Sequence, residues 1–265
     1  MSDRITLIEC PRDAFQGLPR FIPTEIKIDY LLTLLEAGFT RIDFGSFVSP
    51  RAVPQMQDTR QVLEGIRQHL GQAKLIAIVP NLKGLDSAIE AGGILCAGYA
   101  LSMSETFQEI NFHQTVDQAW TVVDQLYERS QMAGLDLVIY LSMGFGNPYG
   151  DAWSSSRVLT FVERLAVRGI QQVSLADTVG LAQPRQVHEV YSLCRKALPE
   201  TVELGVHLHA RPDGWEEVVM AAHSAGCQRF DGALLGIGGC PRAPEWAAVD
   251  FGLGDDERIS SLHGD

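Results

Sequence analysis

Four times along this chain an amphipathic run closes on a glycine and gives way at once to a short β-branched or aromatic stretch. Leu34-Leu35-Glu36-Ala37-Gly38 precedes Phe39 to Phe44, and Met132-Ala133-Gly134 precedes Leu135 to Leu141. Val167-Arg168-Gly169 precedes Ile170 to Leu175, and Ser224-Ala225-Gly226 precedes Cys227 to Phe230. The residue that closes a helix often takes a left-handed conformation, which glycine adopts without steric penalty. Each instance therefore marks a passage from helix to strand. Recurrence of the same junction is the mark of β/α units laid side by side on a parallel sheet.

Eight strand candidates follow from the β-branched and aromatic runs: Ile5–Glu9, Arg41–Phe44, Lys74–Val79, Ile94–Leu101, Leu137–Ser142, Gln172–Leu175, Glu203–His209 and Arg229–Leu234. Helical patterns lie between them. Thr24–Ala37 has Thr24 as a cap and Ile28, Leu31, Leu32 and Leu35 as an apolar stripe. Gln114–Ala133, Ser154–Arg168, Pro184–Leu198 and Asp213–Ala225 repeat the pattern, Pro184–Leu198 with proline at its start. All these stripes are read as core packing. Eight alternating units in a chain of 265 residues match the α/β class and, within it, the (β/α)8 barrel. A doubly wound sheet fits less well, because no glycine-rich phosphate loop follows the first strand. No linker or composition shift divides residues 1–265, so one domain is expected. Its last stretch, 242–265, is short of a good eighth helix, which is expected to be short or irregular.

With 46% hydrophobic residues the chain has enough apolar material for such a core. No run approaches the ~20 apolar residues that cross a bilayer, and Met1-Ser2-Asp3-Arg4 does not open a secretory signal. A soluble, cytoplasmic protein without membrane partners is expected. The formal charge of −12 argues against nucleic acid as a partner and leaves room for a local basic pocket holding a smaller anion. Cys10, Cys96, Cys194, Cys227 and Cys240 are widely spaced, with no CxxC pair. Free thiols are expected rather than disulfides or structural zinc.

In a barrel of this kind, chemistry gathers where strands end. Strand one runs into Pro11-Arg12-Asp13, strand two carries Asp43 and leads to Ser46, strand three leads to Asn81, and strand four to Ser104-Glu105. Strand five offers Tyr140 and Ser142, strand six Asp177-Thr178, and strand seven Val206-His207-Leu208-His209. Residues two apart on a strand share a face, so His207 and His209 point one way while Val206 and Leu208 point into the opposite layer. Two imidazoles held together suit a divalent cation, and barrel closure brings Asp13 beside them as a third ligand. Asp13 has a second reading as the ion-pair partner of Arg12. Arg12 itself is permanently charged and shaped to hold an oxyanion. Cys240, in the loop Gly238-Gly239-Cys240-Pro241, is either an acid/base or nucleophilic thiol or a bystander. The other four cysteines fall in apolar runs and read as structural.

Taken together, Pro11-Arg12-Asp13-Ala14-Phe15-Gln16, Ser46-Phe47-Val48-Ser49-Pro50, Pro54-Gln55-Met56, Pro80-Asn81-Leu82-Lys83-Gly84, Ser104-Glu105, Ala176-Asp177-Thr178-Val179-Gly180, His207-Leu208-His209 and Gly238-Gly239-Cys240-Pro241 resemble the 3-hydroxy-3-methylglutaryl-CoA lyases. That family lies within the metal-dependent aldolase and Claisen-type barrels, and the likeness runs from residue 5 to about 241. It implies an acyl-CoA substrate, Mg2+ or Mn2+ on Asp13, His207 and His209, and a homodimer. It also implies that Arg12 polarises the thioester carbonyl and that Cys240 moves a proton to the enolate. Asp43 and Asp177 complete the expected catalytic set, with Asp43 standing where the family usually has the longer glutamate. Gln16, Ser46, Asn81, Ser104, Glu105, Tyr140, Ser142 and Thr178 are the expected substrate-contacting groups. After Pro241 the sequence departs from the family: no Gly-Asn pair supplies the usual asparagine ligand, and Asp250, near that spacing, is the candidate in its place. The resemblance therefore leaves open a related aldolase or Claisen-type activity on another acyl-CoA or 2-oxo acid, and a homologue that binds without turnover.

Overall fold

The computed structural model describes residues 5–210 and 214–236, with the backbone of residues 247 and 248. Eight parallel strands alternate with helices: β1 (Thr6–Glu9), β2 (Arg41–Ser46), β3 (Lys74–Ile78), β4 (Cys96–Ser102), β5 (Asp136–Ser142), β6 (Gln172–Asp177), β7 (Glu203–Ala210) and β8 (Arg229–Gly232). Each pairs with its neighbour in sequence, β1 pairs with β8, and β6 pairs with β7, so the ring is closed. This is the (β/α)8 barrel that the repeated junctions imply. The glycines of all four junctions take positive φ: Gly38 at 89°, Gly134 at 69°, Gly169 at 87° and Gly226 at 93°. A side chain would be strained there by the backbone alone.

The helices read from the pattern form with small changes at their ends: α2 (Thr24–Glu36), α6 (Val116–Ala133), α7 (Ser155–Val167), α8 (Pro184–Ala197) and α9 (Trp215–Ser224). Four more were not anticipated: α1 (Pro11–Gln16), α3 (Thr59–Ile66), α4 (Leu82–Ala91) and α5 (Glu105–Phe112). The segment 11–13, expected to be loop, is thus the start of a helix. The buried face of α2 also differs from the expected stripe. It is Lys27, Leu31 and Leu34, spaced four and then three residues apart, while Ile28, Leu32 and Leu35 pack at its margin. Burying each leucine contributes about 2 kcal/mol. The expected short eighth helix falls after residue 236, outside the described residues. A two-residue strand, β9 (Ala247–Ala248), pairs antiparallel with the end of β7, His209 opposite Ala248.

The main apolar core lies between strands and helices, where Ile42, Leu75, Ala97, Leu137, Val173, Val206, Leu208 and Phe230 meet the helical stripes. The barrel interior divides differently. Ile8, Cys10, Ile76, Cys96, Val138 and Tyr140 form a small apolar cluster. Asp43, Ser174, His207, Arg229 and Asp231 are also buried, and the alternation of strand side chains turns them to the same interior. A polar half-interior of this kind is costly unless its groups are partnered. Cys10, Cys96, Cys194 and Cys227 are all buried free thiols; Cys240 lies outside the described residues. Among the described residues, no helix is long and apolar enough to cross a membrane.

Candidate active site

At the end of β1 the backbone N–H of Cys10 donates to the carbonyl of Gly232 on β8, 2.8 Å away. The chain then turns directly into α1, whose first residue is proline, a good start for a helix because its missing N–H would have had no partner there. This abrupt turn sets Arg12 and Asp13 over the strand ends, beside β7. Asp13 Oδ1 accepts from Arg12 Nη1 at 2.8 Å and from Gln16 Nε2 at 2.6 Å. Asp13 Oδ2 is buried and accepts no hydrogen bond.

That free oxygen faces the two histidines of β7. It lies 3.4 Å from His209 Nε2 and 3.7 Å from His207 Nε2, and the two ring nitrogens are 3.2 Å apart. A cation with bonds of about 2.1 Å at right angles holds adjacent donor atoms about 3 Å apart. The three atoms therefore fit around one divalent ion with little movement. His209 is oriented from behind, its Nδ1 being 3.1 Å from the carbonyl of Thr178. A carbonyl only accepts, so Nδ1 carries the proton and neutral His209 presents a bare Nε2. Burial alone would raise the Asp13 pKa, but Arg12, His207 and His209 outweigh it and hold the carboxyl well below its ordinary value. Burial likewise opposes charge on His209, yet Asp13, Asp177 and the Thr178 carbonyl keep its pKa above the ordinary value.

Arg12 is held on both sides. Its Nε and Nη2 donate to Asp43, with Nη2 2.5 Å from Oδ2, while Nη1 donates to Asp13. Burial disfavours its charge, but Asp43 and Asp13 more than compensate. Asp43 is wholly buried, and its register partner shifts between Asp43 and Gly45, where β2 carries a bulge against β3. Bulges beside sites re-aim side chains. Here both Asp43 oxygens accept from Arg12, so the carboxylate aims the guanidinium.

The remaining candidates divide. Tyr140 stands edge-on to the His207 ring at 5.7 Å between centroids; its buried hydroxyl has no partner, and burial pushes its pKa well above the ordinary value. Ser142 is buried at the end of β5. Thr178 accepts at Oγ1 from Met143 N, besides orienting His209 through its carbonyl. Asp177 accepts from the backbone N–H groups of Leu181 and Ala182, both at 2.9 Å, and so organises the loop after β6. Ser46 accepts from Val48 N in a local turn. Asn81 and Ser104 cap α4 and α5, and Glu105 accepts from Val116 N. Asn81 and Glu105 are exposed. These last four side chains are engaged in local backbone structure. Cys240 and Asp250 lie outside the described residues.

Three interior residues were not anticipated. Asp231 on β8 lies with Oδ2 3.9 Å from His207 Nδ1, accepts from Ser174 Oγ at 2.9 Å, and faces Arg229 Nε across 3.4 Å. The signal was present: Arg229-Phe230-Asp231 places two charges two apart, on one face of a buried strand.

The model of the HMGL-like family matches residues 5–248. The hydroxymethylglutaryl-CoA lyase of Bacillus subtilis is 34% identical over 242 residues, covering 91% of this chain and 80% of that protein. The mitochondrial hydroxymethylglutaryl-CoA lyase of Bos taurus is 32% identical, covering 88% of this chain and 71% of that protein. Among solved structures, the HMG-CoA lyase of Acinetobacter baumannii, in complex with coenzyme A and 3-methylmalate, superposes with a TM-score of 0.86 at 34% identity, over 94% of this chain and 82% of that one. The B. subtilis HMG-CoA lyase superposes with a TM-score of 0.88 at 31% identity, over 99% of this chain and 86% of that one.

Proposed function

The chain belongs to the HMGL-like family, and on that premise we propose that it cleaves 3-hydroxy-3-methylglutaryl-CoA to acetoacetate and acetyl-CoA. The observation that carries this reading is the buried triangle of Asp13 Oδ2, His207 Nε2 and His209 Nε2, with Arg12 fixed beside it. Asp13, His207 and His209 would hold a divalent cation, Mg2+ or Mn2+, whose charge acidifies the substrate hydroxyl.

The cleavage places its demands on the chain's own groups. As the C2–C3 bond breaks, its electron pair moves into the thioester, the tertiary hydroxyl loses its proton, and the thioester oxygen gains enolate charge. A guanidinium that stays protonated suits that oxygen. Asp43 and Asp13 leave Arg12 with N–H groups to offer and hold them in one orientation. Preorganisation of this kind acts on developing charge without rearrangement at the moment of reaction. Protonation of the enolate carbon completes acetyl-CoA, and the resemblance assigns that proton to Cys240. Asp177 and Thr178 act one step back, shaping the loop that orients His209.

Metal-stripped protein, supplied with Mg2+ or Mn2+ and 3-hydroxy-3-methylglutaryl-CoA, should release acetoacetate and acetyl-CoA in equal amounts, followed by mass spectrometry. No release from this thioester, with release from another acyl-CoA or from a 2-oxo acid, would reassign the substrate. Cation binding without cleavage of any of them would make the chain a binding homologue.

A further inference from the structure

His209 has an evident orienting partner in the Thr178 carbonyl. His207, its equal in the triangle, lacks a close one: its Nδ1 is buried without a hydrogen bond. The tautomer of this ring matters. His207 Nε2 lies 3.2 Å from His209 Nε2, so His207 has two arrangements open to it as a neutral ring. In one, Nε2 carries the proton and donates to His209, which removes a lone pair from the triangle. In the other, Nδ1 carries it, and bare nitrogen faces the site.

We propose that Asp231 is the positioning residue that selects the second arrangement, receiving the Nδ1 proton side of His207 and turning Nε2 toward Asp13 and His209. Its Oδ2 lies 3.9 Å from Nδ1, and its Oδ1 is buried without a hydrogen bond. At that distance a carboxylate already favours an N–H dipole pointing at it, and a shift of about 1 Å makes a charge-assisted hydrogen bond. A carboxylate behind a ligating histidine is a recurrent way to fix the ring and raise its basicity.

The surroundings hold Asp231 in that place. Ser174 on β6 donates to Oδ2 at 2.9 Å, and Arg229, two residues back on β8, sets Nε 3.4 Å from Oδ1. The Arg229 stem needs space, which Gly205 on β7 leaves: a Cβ there would lie 2.8 Å from both Cγ and Cδ of Arg229. Gly205 is two residues before His207, so one strand supplies both the ring and the opening for its support. Arg229 is 2% exposed. A guanidinium so deeply buried needs a counter-charge, which Asp231 provides, with Glu203 3.8 Å away.

The inference rests on the reading of His207 as part of the active site, but its test does not depend on turnover. Long-range proton–nitrogen spectra of metal-free, histidine-labelled protein report which ring nitrogen is protonated, with His207 assigned by comparison with His207→Gln. The wild type should show His207 protonated at Nδ1. Asp231→Leu should lose that preference and weaken Mn2+ binding by about ten- to a hundredfold. Because Asp231→Leu leaves Arg229 without its partner, Arg229→Met/Asp231→Leu removes the pair at similar volume and should show the same loss. Arg229→Met alone should retain the Nδ1 tautomer. An unchanged His207 tautomer in the double variant overturns the proposal. If wild-type protein shows the tautomer and binds Mn2+ yet cleaves no thioester, the proposed substrate fails while this assignment stands.

Discussion

Two networks of buried charge among the described residues are built differently. Beneath α2, Lys27 donates to Asp58 Oδ1 at 2.7 Å and to the Gln55 carbonyl, and Asp58 Oδ2 accepts from Thr24 at 2.8 Å. Gln55 in turn donates to the carbonyls of Leu18 and Arg20 and accepts from Ile22 N. No side-chain polar atom of this cluster is buried without a partner. At the strand ends, by contrast, Asp13 Oδ2, His207 Nδ1, Tyr140 Oη and Asp231 Oδ1 are all buried without a hydrogen bond. A closed network ties α2 to the segments around it. An open one, held rigid from behind by Asp43, Thr178 and Ser174, is arranged for something the chain does not itself provide, at a cost in stability.

This contrast predicts that substitutions in the two networks fail in opposite ways. The largest effect is on activity. Asp13→Asn keeps an acceptor for Arg12 and Gln16 but loses the charge facing the histidines, so cleavage should fall at least ~10³-fold. The melting temperature should hardly move. Parallel loss of fold and turnover would place Asp13 in the structural class instead. The reverse holds for Lys27→Ala, which strands Asp58 and should destabilise by about 3–5 kcal/mol in urea unfolding, with kcat per folded molecule unchanged. A drop in kcat without a drop in stability would break the comparison from the other side.

Smaller effects sharpen it. Because Asp13 and Asp177 hold a proton on His209 above its ordinary range despite burial, a cation must displace that proton to bind. Affinity for Mn2+ should therefore rise with pH, about tenfold per unit below the His209 pKa, and level off only above pH ~6.5. A flat affinity between pH 6 and 8 would remove His209 from the ligand set. The smallest change is expected from Asn81→Ala. Its Oδ1 caps α4 at Gly84 N, 3.0 Å away, so about 1 kcal/mol of stability should go with KM unaltered. A raised KM would return Asn81 to the substrate.

Legibility in the sequence followed the length scale of each signal. Strand periodicity and the glycine junctions are local, and they gave the ring of eight strands nearly residue by residue. Barrel geometry then carried Asp13 to His207 and His209, although nearly two hundred residues separate them in sequence. Helix α1 was hidden because six residues are too few to show a period of 3.6. Lys27 was hidden because its burial depends on Asp58 and Gln55, which no pattern within α2 reveals. Asp43 was expected to act on substrate; its commitment to Arg12 is a tertiary fact, legible only once β2 lies beside α1. Asp231 is legible by contrast, since its alternation with Arg229 is visible in three letters of sequence.

The proposed chemistry depends on one cation shared by Asp13, His207 and His209. Titration of metal-stripped protein with Mn2+, followed by electron spin-echo modulation from ligand nitrogen, tests it directly. One ion per chain should bind with coupling to two imidazole nitrogens, and His207→Ala/His209→Ala should lose both the coupling and the tight binding. Mn2+ bound with no nitrogen coupling, or bound equally well by the double variant, would contradict it.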